Sequence, residues 1–232
     1  ELPPEDEARA GIYGLLARLF YAPPDAQTLG YILHSSAVEG TGPLAIAWRN
    51  LAEACRSAFP VVLESEHTEL FVGTGKAEVT PYLTHYVIKY ATDNPLVELR
   101  QQLKRWGVGR RENVSEPEDH VAGILEAMRF AIAVQHRSLE EQKAFFDRFL
   151  YRGANAFCDA VSASTKAGFY RLVAAFARGL FPVTDRSPRV RVPADARGEG
   201  LLDRRTGPGG AARRPLHERR LRSRAPRWQV QP

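Results

Sequence analysis

Ser115-Glu116-Pro117-Glu118-Asp119-His120 runs directly into Val121-Ala122-Gly123-Ile124-Leu125-Glu126-Ala127-Met128-Arg129-Phe130-Ala131-Ile132. This stretch decides the fold, because it reads as a buried helix with a polar, titratable start. Ser115 is placed to cap, Glu118 lies three residues on, and Pro117 falls in the expected first turn, where its missing N–H costs little. Glu116, Glu118 and Asp119 suit the positive end of the helix dipole. Val121, Ile124, Leu125, Met128 and Ile132 recur at helical spacing, so at least one face is apolar. The pattern predicts a central rod whose first turn sets Asp119 beside His120.

The same period recurs on both sides. Glu5 to Tyr21 reads as a helix that turns Ala10, Tyr13, Leu16, Leu19 and Phe20 inward and stops at Ala22-Pro23-Pro24. Asp25 caps a short helix to about His34. Pro43 opens another to about Phe59, with Leu44, Ala47, Trp48, Leu51 and Cys55 in phase, and Val61 to Val72 carries Leu63, His67, Leu70 and Phe71. Asn94 or Asp93 caps a helix with Leu96, Leu99, Leu103 and Trp106, closed by Gly107 and Gly109. Ser138 to about Ser164 carries Leu139, Phe145, Phe146, Phe149, Leu150, Ala154, Phe157, Cys158 and Val161. Lys166 to Phe181 is the last helix and is expected to stop at Pro182. With no stretch alternating like a strand, residues 1–186 are predicted to form one all-α domain of about eight helices.

Charge divides the chain at the end of this body. Residues 187–232 hold twelve arginines against four acids, a balance of +8. The whole chain is +5, which leaves −3 for residues 1–186. The body is therefore mildly acidic and suits basic partner segments rather than nucleic acid. Residues 187–232, rich in Arg, Pro and Gly, are expected to be a disordered basic tail. Its abrupt onset is matched equally by a shifted reading frame in GC-rich DNA, and no function is assigned to it. No apolar run reaches the roughly 18 residues of a membrane span. The acidic, Pro-containing opening Glu1–Glu7 is unlike a signal peptide, so the protein is expected in the cytoplasm. Cys55 and Cys158 sit in apolar helical contexts and read as reduced, buried thiols.

Catalytic and metal readings are the weaker ones. Gly75-Lys76 invites a phosphate-loop reading, but position 70 is Leu rather than Gly and Ala77 replaces the magnesium-binding hydroxyl. The six histidines form no HExxH pair. Adjacent helical residues point about 100° apart, so Asp119 and His120 would chelate one ion poorly. A helical metal-binding protein or an enzyme using Asp119, His120 and another histidine is the rival reading. Peptide binding fits better. Tyr82, Tyr86 and Tyr90 offer apolar area with a hydroxyl handle, and the carboxylates of Glu116, Glu118 and Asp119 suit guanidinium groups of a ligand.

Three segments carry a resemblance to the TorD/DmsD/NarJ-type chaperones that mature molybdenum-containing redox enzymes. Glu66-His67-Thr68-Glu69-Leu70-Phe71-Val72-Gly73 resembles the family's E-x-x-x-L-F-x-G helix end. Pro81-Tyr82-Leu83-Thr84-His85-Tyr86 is similar to its P-Y-x-S-x-Y segment, with Thr84 where Ser is common and Leu83 where an acid is often found. Glu116-Pro117-Glu118-Asp119-His120 is similar to its E-P-x-D-H helix start. The order matches, and the likeness extends over roughly residues 8–182.

The resemblance implies an all-helical protein that is not an enzyme and needs no cofactor. It implies a cytoplasmic chaperone that holds the apo-form of a molybdoenzyme catalytic subunit, its twin-arginine signal peptide or both, before export or assembly. By the same resemblance, Tyr82, Thr84, Tyr86, Glu116, Pro117, Asp119 and His120 are the client-binding residues. Homodimer formation is left open, and neither a membrane nor a nucleic acid is expected as partner.

Overall fold

The structure is a computed structural model that describes residues 2–35, 38, 40–73, 75–90, 93–110, 114–185 and 228–230. Its first helix, α1 (Pro4–Tyr21), starts on a proline and has Glu5, Asp6 and Glu7 in its first turn. Asp25 then caps α2 (Ala26–His34) by accepting from Thr28 N at 2.8 Å. Prolines also open α3 (Pro43–Arg56), α4 (Pro60–His67) and α5 (Pro95–Arg105). The central rod is α6 (Val121–Ala133). Beyond it lie α7 (Leu139–Phe145), α8 (Arg152–Ala163) and α9 (Phe169–Asp185). The all-α expectation therefore holds for the described body.

Packing is organised around α6. α1 lies along it, α3 and α8 both pack on α9, and α2 packs on α3. α6 is apolar nearly all round. Besides the five predicted positions, Ala122, Gly123, Ala127, Phe130 and Ala131 are buried. A helix that is apolar on every side belongs inside a domain. Its two polar members, Glu126 and Arg129, pair at 2.8 Å. Gly14 of α1 admits the Arg129 stem, since a Cβ there would lie 2.8 Å from Arg129 Cδ. The buried apolar residues form one cluster from Ala10 to Phe181.

Several boundaries differ from the sequence reading. The acids of 116–119 precede α6 instead of lying in its first turn, and His120, not Ser115, is the N-cap. The stretch 138–164 is interrupted by a π-helical turn, Phe146–Tyr151, and Leu139 at its start is exposed. Extra residues in such a turn shift the helix phase, which brings both Phe145 and Phe146 inward. The last helix begins at Phe169 rather than Lys166 and runs past Pro182 to Asp185. A proline inside a helix gives up its own N–H donor and crowds the carbonyl four residues back; here that loss falls in the last turn of α9. Two short strands were not foreseen: β1 (Val108–Arg110) pairs antiparallel with β2 (Trp228–Val230). Otherwise the expected tail over 187–232 lies outside the described residues.

The segment from Glu66 to Gly73 is a staple. Glu66 accepts from three backbone N–H groups at the start of α9: Gly168 at 2.8 Å, Phe169 at 3.2 Å and Tyr170 at 2.9 Å. These are donors that a helix start leaves unpaired. A π-helical turn, Thr68–Val72, then buries Leu70 and Phe71. Gly73 closes it at φ +63°, donating to Thr68 O at 2.8 Å. A Cβ at Gly73 would come within 2.2 Å of Lys76 O, so only glycine fits. Glu66→Ala should lower stability by about 1–2 kcal/mol, read as a lower urea midpoint at unchanged slope, with Glu66→Gln recovering part of the loss.

Candidate functional site

The two polar segments singled out in the sequence meet in space. Residues 81–83 run antiparallel to residues 119–121, with Tyr82 opposite His120. Leu83 N donates to Asp119 O at 2.9 Å, and Val121 N donates to Pro81 O at 2.8 Å. Leu83–Tyr86 then forms a single 3-10 turn packed on α8. The approach is close because Gly153 of α8 has no side chain: a Cβ there would lie 2.9 Å from both Cβ and O of Leu83.

Side chains lock the same contact. Tyr82 donates its hydroxyl to Glu116 Oε2 at 2.6 Å. Burial, the Glu116 hydrogen bond and the nearby charges of Glu116 and Asp119 hold the Tyr82 phenol well above its ordinary pKa. Thr84 Oγ1 donates to Asp119 Oδ2 in a short hydrogen bond. Tyr86 donates to Thr80 O at 2.8 Å and is half-buried, its ring near Phe157; burial pushes its phenol to about 12.

The seven expected site residues divide by exposure. Asp119 and His120 are only 4% and 7% exposed. His120 caps α6 through its ring, Nδ1 accepting from Ala122 N at 3.2 Å. Its ring is flanked edge-on by Tyr21 and Tyr82, each 5.7 Å away. Burial depresses its pKa to about 4, so the ring is neutral near pH 7. Tyr82, Thr84, Tyr86, Glu116 and Pro117 are half-buried. Their partly open faces are the ones a ligand could touch.

Residues beyond the expected set complete the site. Glu118 is held by Arg100 Nε at 2.9 Å and faces Arg110 Nε at 3.9 Å. Arg110 also donates through Nη1 to the carbonyls of Val114, Ser115 and Glu116, at 2.9, 3.1 and 3.3 Å. No local signal marks these arginines, because their partners are set by the fold. Past the 3-10 turn, Asp93 accepts from Lys89 N at 2.9 Å and Tyr90 N at 3.0 Å. This turn presents Ile88 and Tyr90, 49% and 70% exposed.

Among the described residues, no group of three or more His, Cys, Asp and Glu side chains is arranged to hold a metal ion. Both cysteines are buried and free. Burial raises the thiol of Cys55 to about 11 and that of Cys158 to about 12, values unsuited to a nucleophile. No described helix is long and apolar enough to cross a membrane.

The geometry can be set beside known proteins. The family model for the nitrate reductase delta subunit matches residues 41–159, and the chain belongs to that family. The matched region contains both polar segments. Chaperone protein TorD of Photobacterium profundum is 27% identical over 137 residues, 53% of this chain and 63% of that protein. Chaperone protein TorD of Aliivibrio fischeri is 24% identical over 122 residues, 48% of this chain and 57% of that protein. The chain thus spans about three-fifths of the length of these curated relatives. A solved redox enzyme maturation protein from Archaeoglobus fulgidus has a TM-score of 0.44 at 18% identity, covering 77% of this chain and 92% of that one.

Two measurements test the site's construction. His120 has a folded pKa of about 4 against 6.5 unfolded. Between these values acid protonates the unfolded chain first, so stability is full above pH 6.5 and falls as pH drops toward 4. The loss should approach roughly 3 kcal/mol. His120→Asn keeps a capping acceptor without a titrating ring and should flatten this pH dependence in urea titrations. For the Thr84–Asp119 hydrogen bond, a Thr84→Val, Asp119→Asn double-mutant cycle should return a coupling of about 1–3 kcal/mol by chemical denaturation.

Proposed function

We propose that this protein is a chaperone acting in the cytoplasm on the apo-form of a molybdenum-containing redox enzyme. Its client segment is a twin-arginine signal peptide received beside Tyr82, Glu116 and Pro117. Membership of the family supports a maturation role, and so do relatives that bear the name chaperone protein TorD.

The observation that carries the site is the union of residues 81–86 with residues 116–121 by two backbone and two side-chain hydrogen bonds. That union holds aromatic and acidic groups at one place without needing a ligand to assemble them. A preorganised site binds with less ordering cost. The seven residues then have different jobs. Asp119, His120 and Thr84 position the segments. Glu116, already aligned by Tyr82, is the carboxylate that meets a client guanidinium, while Glu118 is committed to Arg100 and Arg110. Ile88 and Tyr90 supply exposed apolar area for the hydrophobic part of a signal peptide.

The rival metal or enzyme reading through Asp119 and His120 has less support. His120 Nδ1 is occupied as a cap and Asp119 is buried against Thr84. Calorimetry with a synthetic twin-arginine signal peptide tests the proposal. Glu116→Gln should weaken binding about tenfold, as expected for loss of one charge-assisted hydrogen bond, with thermal unfolding little changed. Tyr90→Ala should weaken it by several-fold. Unchanged affinity in both variants would remove the client reading of this surface.

A further inference from the structure

The stretch from Leu139 to Ala163 is one helical run that changes its winding partway. α7 and α8 are α-helical, and Phe146–Tyr151 between them is a π-helical turn. Gln142, Phe146, Leu150, Ala154 and Cys158 are all buried, each four residues from the next. In a plain α-helix every step of four drifts by about 40°, so a face repeating at that interval would wind away from the core. A wider turn takes up part of the drift. The phase of α8 is therefore set by the π turn, which is itself tied to α5 by the ion pair of Arg148 with Glu98.

With that phase, α8 turns a second stripe, Gly153 and Phe157, toward the 3-10 turn Leu83–Tyr86. The two residues lie one helical turn apart, and each receives one end of the 3-10 turn. Phe157 meets the Tyr86 ring edge-on at 6.3 Å. It is fully buried and held by Phe20 of α1 at 5.1 Å and Phe71 at 5.8 Å. Gly153 takes Leu83. A glycine inside a helix is a poor helix former, and here the steric reason for one is explicit. A Cβ at 153 would stand 2.9 Å from both Cβ and O of Leu83. Carbon atoms rest about 3.5–4.0 Å apart, so the backbone of the turn would have to retreat by roughly half an ångström. Leu83 N–H bonds to Asp119 O, and its neighbours Tyr82 and Thr84 bond to Glu116 and Asp119. A shift at Leu83 reaches all three bonds.

We propose that α8 is the positioning element of the recognition surface and that Gly153, acting through Leu83, is its determining residue. The bare backbone at 153 fixes the depth at which the 3-10 turn seats, and that depth sets the alignment of Tyr82 with Glu116. Gly153 is buried under the turn and acts without meeting a ligand itself. The binding consequence rests on the client reading of this surface; the effect on the turn rests on the fold alone.

The test is Gly153→Ala in the full chain, read by calorimetry with a synthetic twin-arginine signal peptide and by amide hydrogen exchange. Alanine favours the helix and offsets the strain, so the thermal midpoint and the circular dichroism should change little. Peptide affinity should nevertheless fall by about tenfold. Exchange at the Leu83 and Val121 amides should speed up by about tenfold, while Val79, whose N–H bonds to Leu70 O in another loop, stays unchanged. Gly30→Ala in α2, where a Cβ meets nothing within 4 Å, is the control and should move neither readout. Tyr86→Leu, which takes the ring away from Phe157, should speed the same two amides, and it decides the proposal should the glycine variant not fold. Unchanged exchange at Leu83 in Gly153→Ala, or unchanged peptide affinity there while the unaltered chain binds, overturns the proposal. If the unaltered chain binds no such peptide, the client reading falls, and exchange at Leu83 alone supports or overturns the positioning role.

Discussion

Two backbone hydrogen bonds, Leu83 N to Asp119 O and Val121 N to Pro81 O, are the constraint on which the rest of the site depends. They join a short loop to the start of the most buried helix in the described structure. Without them the chain approaching α6 would carry unpaired polar groups into a region sealed by Tyr21, Tyr82 and the core, and unpaired buried groups are costly. The side chains are placed by the same pairing. Thr84 meets Asp119, Tyr82 meets Glu116, and the His120 ring turns back on Ala122.

This arrangement explains why acids and a histidine stand at the mouth of an apolar helix. Each of the four answers to a different partner. Asp119 is buried and hydrogen-bonded, and His120 is buried and neutral. Glu118 is held between two arginines, and Glu116 is bound to a tyrosine but still half open. A cluster that looks uniformly electrostatic in one dimension is mostly internal wiring in three. Only its outer members remain available for recognition. The inner residues hold the two segments together, and the outer ones keep a face open to solvent.

The Glu66–Gly73 staple shows the same economy. Its glutamate caps α9, its Leu and Phe fill the core, and its glycine turns where no other residue fits. Each of these residues has a packing or backbone reason. The tight contact between Gly153 and Leu83 ties α8 to the same loop that meets α6, so that loop rests on two helices of the described body.

Much of this was legible in the sequence. Apolar spacing marked the core faces of α1, α3, α6 and α9, and prolines or Asp25 marked several helix starts, because these signals act within a turn or two of chain. The pairing of residues 81–86 with 116–121 was not legible, since the partners lie more than thirty residues apart and no local pattern encodes that distance. The same holds for Arg100 and Arg110 on Glu118, for the shift of the α6 start from Ser115 to His120, and for β1 finding β2. The sequence by itself determined which segments are helical and which faces are apolar, because both rest on short-range periodicity. Tertiary structure alone decided which charged residues are buried and which stay open, because burial is set by what packs against a residue from elsewhere in the chain.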